Sequence, residues 1–114
     1  MPDFEIEMVR QSAIARLCAA GASPEEARIV VEHMITADLR GRPSHGLSIR
    51  YQYILRQTRS GAAEKTAEIV KDIGAALLLD GRDGLGYGAG WKCAGLLIER
   101  AAEHGVGGVN RPRD

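Results

Sequence analysis

The spacing of the apolar residues changes after Gly61, and that change limits what the chain can fold into. Before it, apolar side chains recur at three- and four-residue steps, the pattern of helices with one buried face. After it, short apolar runs bounded by glycines read as strands. The expectation is an α+β fold: an N-terminal layer of three helices, then a β-hairpin, a helix and the start of a further strand. The chain divides into an N-terminal helical region, residues 1–62, and a hairpin/helix/strand region, residues 63–114, incomplete at its C-terminal end. Its 114 residues allow one domain with a real core and are too few for two.

The first helix is expected over Met8 to Ala20, burying Val9, Ala13, Ile14, Leu17 and Cys18, with Gly21 closing it. The preceding Asp3 to Ile6 fits either a short strand or an irregular arm. The second helix has the clearest start: Ser23 as cap, Pro24 at the first helical position, and Glu26 three residues after the cap. It runs to about Arg40, with Ala27, Val30, Val31, Met34 and Ile35 as its buried stripe. Asp38 continues that stripe. A carboxylate there either pairs, with an arginine or a backbone N–H of the following turn, or belongs to a site.

Next comes Arg40-Gly41-Arg42-Pro43-Ser44-His45-Gly46, which holds more chemistry than a corner needs. Ser44 is expected to cap a third helix over His45 to Arg59, burying Leu47, Tyr51, Ile54 and Leu55, with Gly61 ending it. His45 would then sit in the first turn, where the positive end of the helix dipole disfavours the imidazolium. A neutral imidazole that accepts and returns a proton near pH 7 suits acid–base work on an alcohol and its ketone. A hydrogen-bonded turn histidine is the plain alternative. On a continuous helix Ile49 and Tyr53 would share the face of His45, whereas Arg50 would be rotated away.

In the second region, Glu68 to Ile73 and Ala76 to Asp80 read as a hairpin around Gly74-Ala75, the second strand more buried. A helix from about Trp91 to His104 is expected to bury Trp91, Ala94, Leu97, Ile98 and Ala101. Gly105 closes it, and Val106 to Val109 starts a strand that should extend the same sheet. Between hairpin and helix, Gly84-Leu85-Gly86-Tyr87-Gly88-Ala89 fits the G-x-G-x-x-[GA] dinucleotide fingerprint. The acid expected about 20 residues further on is missing, since Asn110 follows Val109, and glycine-rich turns between strand and helix are common. The tail Asn110-Arg111-Pro112-Arg113-Asp114 follows a strand that has barely begun, as in a domain cut short.

Fifteen basic and fifteen acidic residues balance, so no net field steers the chain toward nucleic acid or an acidic membrane. Cys18 and Cys93 sit among apolar helix residues and read as small buried hydrophobes. No apolar run approaches the length that spans a bilayer, and no export signal opens the chain. A soluble, cytoplasmic protein is expected. No metal ligands and no cofactor-binding residues are assigned.

The segment Asp38, Arg40, Gly41, Ser44, His45 and Gly46 resembles the D-x-R-G-x-x-S-H-G motif of the malate/L-lactate dehydrogenases of the non-Rossmann type, a family including ureidoglycolate and sulfolactate dehydrogenases. Tyr53 matches a family tyrosine eight residues after the histidine. Leu79-Asp80-Gly81 and the set Ala101, Gly105, Val106 and Gly107 also look like the family, so the likeness runs from the first helix to about Val109. It implies an NAD- or NADP-dependent oxidoreductase that interconverts a 2-hydroxy acid and a 2-oxo acid, usually a homodimer, acting on small molecules and not on nucleic acid or membranes. By the same resemblance, His45 would be the catalytic residue that contacts the reacting oxygen, with Tyr53 near the substrate, and the glycines of the Gly84 to Gly90 stretch would be structural; Ser44 and Arg50, the nearby hydroxyl and guanidinium, are the further substrate-binding candidates.

Two departures stand out. The family commonly carries a carboxylate-holding arginine four residues after the histidine, and here that position is Ile49. Either another residue supplies the charge or the substrate differs. Family members also run to roughly three times this length, and an R-N-S-x-H segment with a second histidine usually follows the last strand. The chain therefore reads as an N-terminal portion, inactive alone. A rival reading is a winged helix-turn-helix DNA-binding module, in which Arg50, Gln52, Arg56, Gln57 and Arg59 would meet the duplex. A domain that kept the fold as a non-catalytic interaction module is a third.

Overall fold

The computed structural model describes residues 5–61, 67–82 and 84–110. Among these the order is α1 (Ile6–Ala19), α2 (Pro24–Leu39), a single 3-10 turn (Pro43–His45), α3 (Tyr51–Arg59), β1 (Glu68–Asp72), β2 (Ala76–Asp80), α4 (Tyr87–His104) and β3 (Gly108–Asn110). These are the expected α+β elements in the expected order. The chain forms two compact units, residues 1–64 and 65–114. The boundary expected at 62–63, most of the Asp3–Ile6 arm and the end of the polar tail lie outside the described residues; Ile6 itself opens α1.

In the first unit, α2 forms where the sequence signals it most plainly. Ser23 Oγ accepts the Glu26 N–H at 3.1 Å and Pro24 takes the first helical position, where its missing N–H costs nothing. Ala27, Val30, Val31, Met34 and Ile35 are all buried, as expected. Each of the four larger side chains contributes about 1.5–3 kcal/mol by leaving water. α2 packs against α1, where Ala13 and Leu17 are buried, and α1 in turn packs against α3, where Tyr51, Ile54 and Leu55 are buried. Among the described residues Thr58 is the one polar side chain buried with them, and its Oγ donates to the Ile54 carbonyl at 2.8 Å. Arg10 of α1 ties the outer surface by pairing with Glu32 of α2 and with Glu7 on its own helix. The end of α2 is a left-handed cap. Gly41 has φ +74°, the Gly41 N–H reaches the Asp38 carbonyl at 3.0 Å, and the Arg42 N–H reaches the Ala37 carbonyl at 2.8 Å.

The third helix differs from expectation. It begins at Tyr51, not His45, and Ser44 makes no capping bond. Gly46 is extended, with φ −101° and ψ −175°, which interrupts any helix running from His45. The reason lies one helix back, in Asp38, described with the site.

In the second unit the strands order β1-β2-β3. The pair β1–β2 is antiparallel, with Glu68 opposite Asp80 and Asp72 opposite Leu77, and a bulge between Ile69 and Lys71. Gly74 supplies φ +80° at the first position of the two-residue turn, where such hairpins favour glycine. β3 runs parallel to β2, so α4 is the crossover between them and the sheet is extended as expected. α4 starts at Tyr87, four residues before the expected Trp91. Its inward side also differs. Ala89, Cys93 and Leu96 pack with Val109 on a core of Ala67, Leu77 and Leu79. Trp91 is 60% exposed and Ile98 72%. The helix is apolar on more than one side, so period alone cannot choose the buried one, and the early start brings Ala89 onto the sheet.

Candidate functional site

The site is built on the end of α2 and the turn that follows. Asp38 sits in the last turn of α2, where the negative end of the helix dipole does not favour a carboxylate. It is held there by the chain folding back over it. Its Oδ2 accepts the Leu47 N–H at 2.9 Å, one of the two pairings the sequence left open. Gly46, which is buried, lies so close that a Cβ at this position would come within 1.8 Å of Asp38 Oδ1. Asp38 therefore supplies the acceptor expected of Ser44 and fixes the turn between them. The glycine of the S-H-G segment is required by this close approach, since its φ is one that any residue adopts.

The turn so fixed presents Ser44 and His45, both exposed, with Ser44 Oγ 3.1 Å from His45 Nδ1. His45 is the last residue of the 3-10 turn, and α3 begins six residues later. The expected helix-dipole effect on the imidazole therefore does not apply. The same break removes the argument that Ile49 and Tyr53 follow His45 along one helical face. Ile49 is 62% exposed in the intervening turn.

Arg50 and Tyr53 form a second pair. The Arg50 guanidinium lies over the Tyr53 ring, 5.6 Å from its centroid. Tyr53 Oη accepts a hydrogen bond from Gln57 Nε2 at 3.0 Å, leaving its own hydrogen available to donate. Arg50 thus accompanies the tyrosine, an association that spacing from His45 did not reveal. Gln57 was assigned to the DNA-binding alternative, and its i, i+4 relation to Tyr53 was the available signal. Tyr51, expected only as a buried residue, joins α3 to α1 by donating its hydroxyl to the Ala13 carbonyl at 2.7 Å. Burial raises its pKa, partly offset by the nearby Arg16 and Arg59 charges.

The Gly84 to Ala89 stretch runs from the turn after β2 into the first residues of α4, with Gly86 left-handed at φ +92° as the helix cap. Strand, glycine turn, helix and parallel strand match the surroundings of a dinucleotide loop, but Asn110 ends β3 where an acid would meet the ribose. The described residues do not fit a dinucleotide of that kind. No group of three or more His, Cys, Asp or Glu that could hold a metal occurs among them. Cys18 and Cys93 are free and half-buried. No helix among the described residues is long and apolar enough to cross a membrane.

The family model described as malate/L-lactate dehydrogenase matches residues 4–111. The chain belongs to this family. Hydroxycarboxylate dehydrogenase B of Escherichia coli O157:H7 is 37% identical over 91 residues, covering 78% of this chain and 25% of that protein. The solved malate dehydrogenase of Pyrococcus horikoshii OT3 superposes with a TM-score of 0.89 at 26% identity, over 98% of this chain and 33% of that one. The sulfolactate dehydrogenase of Methanocaldococcus jannaschii superposes with a TM-score of 0.86 at 31% identity, over 94% and 31% respectively. The chain thus spans about a quarter to a third of the length of these malate/L-lactate dehydrogenase relatives. This membership leaves the winged helix-turn-helix alternative without support.

Proposed function

We propose that this chain is part of a nicotinamide-dependent oxidoreductase that interconverts a 2-hydroxy acid and a 2-oxo acid, with His45 exchanging the proton of the reacting oxygen. The observation that carries it is the Ser44–His45 pair on a turn locked by Asp38, within a family of malate and lactate dehydrogenases. The cofactor, NAD or NADP, supplies or takes the hydride.

In this reading the serine hydroxyl matters because its oxygen can accept from Nδ1–H and so fix which ring nitrogen meets the substrate. For reduction of a 2-oxo acid His45 is the imidazolium, its Nδ1–H donating to Ser44 Oγ and its Nε2–H giving the proton to the carbonyl oxygen as the hydride arrives. In the neutral ring, with Nδ1–H still donating to Ser44 Oγ, Nε2 is bare and can take the proton of a 2-hydroxy acid. Tyr53 offers its phenol hydrogen to the substrate. Arg50 brings the positive charge that Ile49 lacks, aimed by its stack on Tyr53. The dimer and the soluble, cytoplasmic setting belong to the same proposal, by likeness to the family.

The test is a chimera. This chain's family segment replaces the matching segment of the E. coli hydroxycarboxylate dehydrogenase B, and NADH and NADPH oxidation are followed with glyoxylate, pyruvate and oxaloacetate. The chimera is expected to turn over, and His45→Asn to lower kcat by about 10²–10⁴-fold, the usual worth of a positioned acid–base group. The 114-residue chain alone is expected to show no turnover. An H45N chimera as fast as its parent would overturn the role given to His45.

A further inference from the structure

A second place on the first unit has the makings of a binding site and involves none of the side chains given a role in the reaction. Met8, Val9, Ser12, Ala13 and Arg16 of α1 face Leu47, Tyr51 and Gln52 across an open groove of about 410 Å³. That volume is within the roughly 300–1,000 Å³ of small-molecule sites. Its walls are largely apolar, yet Ser12, Arg16 and Gln52 bring hydrogen-bonding groups to it. None of the three has a side-chain hydrogen-bond or ion-pair partner among the described residues. The one acid of α1, Glu7, is engaged elsewhere: it pairs with Arg10, which also holds Glu32 of α2.

Arg16 is the charged side chain in the lining of the groove, and the Asp38 carboxylate beyond Leu47 is taken up by the Leu47 N–H. Arg16 and Arg59 are the charges that act on the Tyr51 hydroxyl, and both favour an anion there. That hydroxyl donates its hydrogen to the Ala13 carbonyl, and no hydrogen bond joins Arg16 to it. From residue 39 to residue 61 the chain carries Arg40, Arg42, Arg50, Arg56 and Arg59 and no acid at all. A groove with an apolar lining and an unanswered guanidinium is complementary to a molecule with an apolar body and one anionic end.

We propose that the groove between α1 and the Leu47–Gln52 segment binds a small organic carboxylate, its apolar body against Val9, Leu47 and Tyr51 and its carboxylate on Arg16, with Ser12 and Gln52 as further donors. The arrangement matches the way a guanidinium fork meets a carboxylate. The inference does not depend on the reaction assigned to His45.

The test uses the 114-residue chain, ¹⁵N-labelled, titrated with 3-phenylpropionate and with its uncharged amide. Saturable shifts are expected at Ser12, Ala13, Arg16, Leu47 and Gln52 with the acid, in the millimolar range suited to so small a probe. The amide is expected to bind about tenfold more weakly, as is the acid to Arg16→Gln, the loss of one charge-assisted hydrogen bond. Ser12→Trp, placed at an exposed position to fill the groove, is expected to abolish the shifts at Leu47 and Gln52 while leaving the rest of the spectrum in place. Equal binding of acid and amide, an unchanged titration in both variants, or shifts confined to other residues would overturn the proposal. A groove covered by a second copy of the chain, seen as concentration-dependent shifts without any probe, would overturn it too.

Discussion

Asp38 and Gly46 occupy one another's space: a Cβ on Gly46 would lie 1.8 Å from Asp38 Oδ1 and 2.3 Å from its Cγ. The carboxylate is pinned by the Leu47 N–H, so it cannot swing away without leaving that donor unmet. The exposed pair Ser44–His45 is thereby held by a contact between two residues that belong to no helix face in common.

Gly46→Ala is therefore expected to destabilise the first unit by about 1–3 kcal/mol, the usual range for forcing atoms into filled space. Urea denaturation of the single and double variants with Asp38→Ala measures it. The double variant should cost less than the sum of the two single ones, because the clash disappears with the carboxylate. Strict additivity would mean that the two residues do not meet.

Tyr51→Phe removes the donor to the Ala13 carbonyl without changing the ring. It should cost about 0.5–1.5 kcal/mol, the net worth of one hydrogen bond, since the Ala13 carbonyl keeps its partner within α1. Thermal unfolding with the wild type under the same buffer is the measurement. An unchanged melting point would show that water replaces the hydroxyl.

The hairpin should be acid-sensitive at one residue. Arg100 of α4 grips both oxygens of Asp72, at 2.6 and 2.8 Å, and the Gly74 N–H adds a third bond at 3.0 Å. Led by the Arg100 bond, these lower the Asp72 pKa from 3.8 to about 2. A depressed carboxylate pKa favours the folded state above the ordinary value, and this contribution is lost as the pH falls from about 4 toward about 2. Following the Asp72 side-chain carboxyl by NMR should give a midpoint near the lower figure, and Arg100→Gln should move it up toward 3.8. The site is solvent-accessible, so the effect should shrink with added salt.

Ile49 gives a test of substrate handling. In the chimera, Ile49→Arg restores a charge at the position where the family commonly has one. KM for a 2-oxo acid is expected to fall about tenfold, equivalent to one charge-assisted hydrogen bond, with little change in kcat. If KM falls only when Arg50 is also replaced, Arg50 already holds the carboxylate.

What could be read from residues alone was whatever depends on neighbours in sequence. The Ser23-Pro24 start and the buried stripe of α2 follow from local bonding and helical period, and Gly74 marks the hairpin because only its own backbone has to adopt positive φ. The pairing of Asp38 with a backbone N–H was one of two stated options. Tertiary structure decided the rest. Asp38 reaches across the turn to Leu47 and so moves the start of α3 from His45 to Tyr51. The sheet selects Ala89, Cys93 and Leu96 over Trp91 and Ile98 because α4 is apolar on several sides and only its partner can choose between them. Local pattern states which faces are possible; contacts distant in sequence determine which one is used.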